Sequence, residues 1–175
     1  FVAVRSSATA EDTAETSFAG MNETFLNVRG ADSLAEHVKR CWSSLYGSRV
    51  LYYRRKNDIP EDRIAIAVIV QAMIDSEKAG VMFTVEPATG DRDTTVIESA
   101  FGLGDTVVSG SVNPDHFKID KKSLEITREV IAAKSFMNVR GPDGGVVRKD
   151  LPPDRAGAPS ITTEQVREIA TLGNR

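Results

Sequence analysis

Arg5 is the first residue whose type and setting suggest chemistry. It follows the apolar "VAV" of residues 2–4 and opens a run of serine, threonine, alanine and acidic residues that reaches Gly20. Small side chains let a backbone approach a ligand closely, and consecutive N–H groups in a turn form a concavity for an anion. A guanidinium beside such a loop adds a planar fork that matches phosphate oxygens. The same arginine could instead pair with Glu11 or Asp12 as an ordinary surface ion pair. Both readings stay open on these residues alone. A P-loop is excluded, because G-x-x-x-x-G-K-[ST] occurs nowhere in the chain.

Other residues offer weaker signals. Gln71 closes an apolar run and presents donor and acceptor together, either to a base edge or to neighbouring backbone. "FGLGD", residues 101–105, is a G-x-G without the third glycine of a dinucleotide loop and reads as a turn between strands. Glu98 and Asp105 flank that turn, where they could meet a metal or act as solvated or capping carboxylates. His37 falls off the apolar stripe of a helix and reads as solvated. His116 has no serine or cysteine partner in a fixed motif, so no catalytic triad forms.

The elements that must position these residues alternate between strand and helix periods. Residues 1–5 and 23–28 read as strands. Ser33 and Glu36 form an S-x-x-E capping box ahead of a stripe of Leu34, Val38, Cys41, Trp42 and Leu45, which predicts a helix. A second helix is expected over about 48–57, stopping before Pro60. "IAIAVIVQAM", residues 64–73, is a continuous β-branched and alanine run of the kind buried on both faces in mid-sheet. Strands are expected at 79–85 and 94–99, then a hairpin of "HFKID" and "LEITREVIA". The glycine- and proline-rich stretch over 140–160 reads as a mobile loop or hairpin outside the core. Thr162 and Gln165 form a T-x-x-Q box before Val166, Ile169 and Leu172, which predicts a final helix. Strands and helices in this order give an α+β pattern without regular βαβ alternation.

Bulk properties narrow the function classes. A net charge of -3 supplies no basic excess for gripping nucleic acid, so a phosphate site must be local. Cys41 is the single cysteine and cannot form an internal disulfide, which makes a reducing cytoplasm the simplest setting. No apolar stretch approaches the roughly 20 residues of a membrane helix, and no signal-peptide pattern opens the chain, so no membrane partner is expected. Phe1 sits inside an expected strand, which reads as a chain cut from something larger.

Five segments in order resemble one family. "VAVRSSATAEDTAETSFAGMNETFLNV", "RCWSSLYGSRVLYYR", "AIAVIVQAM", "AGVMFTVEPATG" and "FGLGDTVVSGSVNPDHF" are similar to the nucleotide-binding domain shared by phosphoenolpyruvate synthase, pyruvate phosphate dikinase and rifampicin phosphotransferase. The resemblance covers about the whole chain and implies an α+β, ATP-grasp fold, present in part, with mixed sheets and flanking helices. Residues 1–175 would then be part of one nucleotide-binding domain in a larger multidomain enzyme. In that family ATP lies between two lobes, and a histidine on a separate domain carries its β-phosphoryl to an acceptor. By position, the resemblance assigns Arg5, Gly20 and Thr24 to the ATP phosphates and Gln71 to the nucleotide pocket. It also implies Mg²⁺, and as partners the phosphohistidine and acceptor-substrate domains of the same enzyme.

Three departures bound the resemblance. The family's upstream lysine would precede Phe1, and the glutamate, glutamine and arginine that hold Mg²⁺ and phosphate would follow Arg175. The carrier histidine's "T-S/C-H-A" context is absent, so neither His37 nor His116 inherits that role. The expectation is that these residues alone do not turn over ATP. "SGSVNPDHF" resembles the synthase version of its segment, "PATGDRD" is equally at home in rifampicin phosphotransferases, and the insertions usual in pyruvate phosphate dikinase are missing. A degenerate nucleotide-binding regulatory module is the non-enzymatic alternative.

Overall fold

The structure is a computed structural model that describes residues 1–8, 23–57, 59 and 64–175. The chain folds as two compact units, Phe1–Ile74 with Gly141–Val146, and Asp75–Arg140 with Val147–Arg175.

In the first unit, β1 (Val2–Ala8), β2 (Thr24–Val28) and β3 (Ile66–Ala72) form a sheet in the order β2-β1-β3, with both neighbours antiparallel to β1. One face of this sheet takes α1 (Ala31–Ser43). Val4, Val28 and Cys41 are buried there, with Val2, Phe25, Leu34, Val38 and Val68 packed around them. A short 3₁₀ turn at Ser44–Tyr46 leads into α2 (Ser48–Lys56).

Several sequence expectations are corrected in this unit. The helix α1 begins at Ala31 behind Gly30, whose φ is 87°, and it has no side-chain cap. Ser33 already lies in the first turn, so the Ser33–Glu36 pair is not its capping box. The stripe holds for Leu34, Val38, Cys41 and Leu45, but Trp42 is 52% exposed. His37 is not merely solvated. Its Nδ1 donates to the Ser33 carbonyl at 2.7 Å, and its ring stands edge-on to Phe25 at 4.6 Å, which ties α1 to β2. The strand β3 was expected in mid-sheet; among the described residues it is an edge strand, with Ile69 and Val70 each 47% exposed.

In the second unit, β4 (Lys78–Phe83), β5 (Thr94–Phe101), β6 (Asp115–Asp120) and β7 (Ile126–Val130) form an antiparallel sheet in that order. Alternation in "DHFKID" is realised: Asp115, Phe117 and Ile119 are buried. Phe117 and Ile119 pack with Ile97, Ile161, Val166 and Ala170 beneath α5 (Thr163–Gly173). The predicted Thr162–Gln165 capping box closes α5, with both reciprocal bonds present. Leu172, placed on the apolar stripe by its spacing, is 57% exposed.

The remaining elements are α3 (Asp105–Val108), β8 (Phe136–Arg140), β9 (Val146–Asp150) and α4 (Pro153–Ala156). The stretch expected to lie outside the core contributes to it, because Leu151 is buried with Phe101 and Met137. A fully buried ion pair, unseen in the sequence, anchors this region. Asp115 Oδ1 accepts from Lys134 Nζ and from the Ala132 amide at 3.0 Å, and both charged side chains are 0% exposed. Asp115 Oδ2 accepts from the amide and the hydroxyl of Ser160, each at 2.7 Å. Every oxygen of the carboxylate is thus engaged, as a buried charge requires.

Candidate functional site

The first unit's sheet has α1 on one face only. Its other face is reached by alternate residues of each strand. Along β1 these are Ala3, Arg5 and Ser7, which stand opposite Gln71, Ile69 and Ala67 of β3. Arg5 also stands opposite Thr24 of β2. Three of the four site residues named from the sequence are therefore brought to one face, and Arg5, Thr24 and Gln71 are all exposed on it. The fourth, Gly20, lies outside the described residues, as do Glu11 and Asp12, the alternative ion-pair partners of Arg5.

The pairing of Arg5 with Thr24 depends on an irregularity in β2. Val2 pairs with Val28, but Val4 pairs with Phe25, so Leu26 and Asn27 together oppose Ala3. This is a bulge of one residue, and it reverses the facing of what precedes it in β2. In an unbroken register Thr24 would oppose Ser6, on the α1 face. Asn27 adopts φ 56°, a left-handed conformation that asparagine tolerates better than most residues, and it is 2% exposed. Its Nδ2 donates to the Gly145 carbonyl at 2.8 Å, and the Gly145 amide returns a bond of 3.3 Å to the Asn27 carbonyl. Sequence reasoning missed this residue; the signal was an asparagine interrupting the apolar run of "TFLNV".

Chemically, the face combines a charged five-donor fork, a hydroxyl on the adjacent strand and a carboxamide one strand away. That set suits phosphate oxygens at Arg5 and Thr24 and a group with both donors and acceptors at Gln71. Among the described residues no carboxylate pairs with Arg5.

The candidate carboxylates of the second unit have other occupations. Glu98 Oε1 lies 3.3 Å from His116 Nδ1, directly across β5 and β6. Asp105 Oδ2 accepts from Asn138 Nδ2 at 2.6 Å. The two acids are not brought together, and among the described residues no group of three or more His, Cys, Asp or Glu could hold a metal ion. The Gly102 turn is structural. Its φ is 81°, its amide donates to the Glu77 carbonyl at 2.8 Å, and a Cβ there would sit 2.2 Å from the Asn138 carbonyl.

Glu86 organises the turn between β4 and β5. Its Oε2 accepts from the Thr89 amide at 2.7 Å and from the Thr89 hydroxyl, while its Oε1 accepts from Lys118 Nζ at 3.2 Å. The Thr89 hydroxyl bond, with help from Lys118 and against the push of burial, holds its carboxyl at about 2, below the ordinary value of 4.5. A cavity of about 350 Å³ lies between β4 and α5, where Lys78 Nζ donates to Gln165 Oε1 at 3.0 Å across one wall. Arg5, Thr24 and Gln71 are not among the residues that line it. No helix among the described residues is long and apolar enough to cross a membrane.

Comparison with known proteins identifies the family of the chain. The family described as "Pyruvate phosphate dikinase, AMP/ATP-binding domain" matches residues 1–175. A probable phosphoenolpyruvate synthase of Methanothermobacter thermautotrophicus is 45% identical over 100% of this chain and 25% of its own length. The phosphoenolpyruvate synthase of Pyrococcus furiosus is 43% identical over 100% of this chain and 22% of its own. A rifampicin phosphotransferase of Bacillus cereus is 39% identical over 99% of this chain and 20% of its own. The chain thus spans about a quarter or less of the length of these relatives. With its α+β architecture and a match along every residue, this chain belongs to the pyruvate phosphate dikinase AMP/ATP-binding domain family, whose fold is of ATP-grasp type.

Proposed function

We propose that this chain binds ATP on the β1–β2–β3 face as part of a phosphoenolpyruvate synthase-like phosphotransferase, which converts ATP, pyruvate and water to AMP, phosphoenolpyruvate and phosphate. The observation that carries this reading is the convergence of Arg5, Thr24 and Gln71 on one sheet face within a chain of this family. Arg5 supplies positive charge and a bidentate fork to the phosphates, Thr24 a hydroxyl donor, and Gln71 an amide beside the base. Gly20 is the point of close backbone approach. Phosphoryl transfer relies mainly on positioning and charge neutralisation, which these groups are suited to begin.

In this reading residues 1–175 are part of one ATP-grasp domain, and the phosphate-carrying histidine and the acceptor-substrate site belong to other domains of a larger cytoplasmic enzyme. The length of the relatives supports that arrangement. Mg²⁺ accompanies the nucleotide. Its ligands would lie outside this chain, and among the described residues no group of three or more His, Cys, Asp or Glu could hold it.

Calorimetric titration with ATP tests the face. Arg5→Ala should weaken binding by about 1.5–3 kcal/mol, the worth of a charge-assisted contact; unchanged affinity would remove Arg5 from the site. The second reading, a rifampicin phosphotransferase, is favoured by the 39% identity to the Bacillus cereus enzyme. ATP-dependent AMP release with pyruvate or with rifampicin as acceptor separates the two. Release with neither, while ATP still binds, would favour a non-catalytic nucleotide-binding module.

A further inference from the structure

Two adjacent serines follow Arg5, and the strand sends them to opposite faces. Ser6 shares the face of Val4 and Ala8, and its Oγ donates to the Glu23 carbonyl at 3.0 Å. Ser7 shares the face of Ala3 and Arg5, opposite Ala67 of β3. It is half-buried, and among the described residues its hydroxyl has no hydrogen-bond partner. The first hydroxyl is therefore consumed by the sheet, and the second, unbonded among the described residues, shares a face with the exposed Arg5.

Ser7 stands beside a small neighbour on this face. Ala67, its cross-strand neighbour, has only a methyl group to place over that part of the sheet. Ser7 lies two positions beyond Arg5, about 6.6 Å along β1, and a polyphosphate chain can reach both. Thr24 is level with Arg5 on β2. Arg5, Thr24 and Ser7 thus form a triangle of donors on three neighbouring positions, with the charge at one corner.

We infer that Ser7 donates a hydrogen bond to a phosphate oxygen of the nucleotide whose phosphates meet Arg5 and Thr24. The inference rests on the ATP-binding reading of this face. It assigns distinct fates to the two hydroxyls of "RSS": Ser7 binds phosphate, and Ser6 holds β1 to the residue that precedes β2.

The test uses the protein that carries this chain, with affinities for ATP and for adenosine measured by calorimetry. Ser7→Ala should weaken ATP binding about 10-fold or more, the effect of losing a hydrogen bond to a charged oxygen. Adenosine affinity should be unchanged, because adenosine has no phosphate, and Ser7→Thr, which keeps a hydroxyl in a residue suited to strands, should restore ATP affinity. Ser6→Ala should leave ATP affinity as in the wild type. Wild-type ATP affinity in Ser7→Ala together with a loss in Arg5→Ala would overturn the role of Ser7 and leave the reading of the face intact. Wild-type affinity in both variants would overturn that reading itself. Equal losses for ATP and adenosine in Ser7→Ala would identify local damage to the sheet and also overturn the inference.

Discussion

Arg5 and Thr24 face each other across β1 and β2 because β2 carries one extra residue, the bulge in which Leu26 and Asn27 together oppose Ala3. Asn27 makes the bulge tenable by accepting φ 56° and by bonding the Gly145 carbonyl through Nδ2 at 2.8 Å. A single backbone irregularity therefore decides whether the hydroxyl of Thr24 points toward the arginine or into the α1 core.

Asn27→Val should separate this device from simple packing. A β-branched residue is strained at positive φ, and the bond to Gly145 is lost with it, so stability should fall by about 1–3 kcal/mol in urea unfolding. Asn27→Gly keeps the conformation and loses only the side-chain bond, so it should cost about 1 kcal/mol. If ATP binds the face, its affinity should drop in the valine variant and persist in the glycine variant. Equal effects of the two substitutions would show that the bulge does not set the register.

Gly102 and Gly90 offer a matched pair for the role of close approach. Both have positive φ, 81° and 74°, but a Cβ at Gly102 would sit 2.2 Å from the Asn138 carbonyl, whereas Gly90 has nothing within 4 Å. Gly90→Ala should incur backbone strain alone, about 1 kcal/mol. Gly102→Ala adds a clash that only movement of β8 can relieve, so its loss in denaturant unfolding should be clearly the larger of the two. Comparable losses would mean that the Gly102–Asn138 contact yields easily.

How much of this was legible in the sequence varies with the range of the interaction that decides it. The capping box of α5 and the alternation of β6 were readable because Thr162 with Gln165, and Asp115 with Phe117 and Ile119, act within one turn or one strand. The gathering of Arg5, Thr24 and Gln71 was reached through family resemblance, since no local pattern says that β2 and β3 flank β1. Local signals also misled. Ser33 and Glu36 match a capping box, yet Gly30 lets the helix start three residues earlier. The apolar run of β3 describes composition, while the number of neighbouring strands decides whether it is central. Lys134 meets Asp115 only through the fold, so two charges 19 positions apart gave no hint of a buried pair.

Lys134→Met tests that pair. The substitution keeps an unbranched stem of similar length and removes the charge, which leaves the Asp115 carboxylate buried without its cation. The expected loss is about 3–5 kcal/mol in chemical denaturation. Adding Asp115→Leu should not restore stability, because the Ala132 and Ser160 amides would then lose their acceptor. A loss below about 1 kcal/mol in the single variant would show that the carboxylate finds other compensation.

Glu86 makes stability depend on acid in a defined window. Its carboxyl sits at about 2 in the folded protein against an ordinary 4.5, chiefly because Thr89 donates its hydroxyl and then because Lys118 lies opposite. Between these values the unfolded chain binds a proton that the folded one does not, so stability falls as pH is lowered. The contribution is fully present above about pH 4.5 and disappears as pH passes down through about 2. Glu86→Gln has no such proton to bind. Unfolding midpoints measured from pH 6 to pH 2 should therefore show wild type and variant converging as pH falls, with the other carboxylates common to both and cancelling in the difference. A difference that stays constant through the window would mean that Glu86 titrates alike in both states and that the Thr89 hydroxyl does not hold its charge.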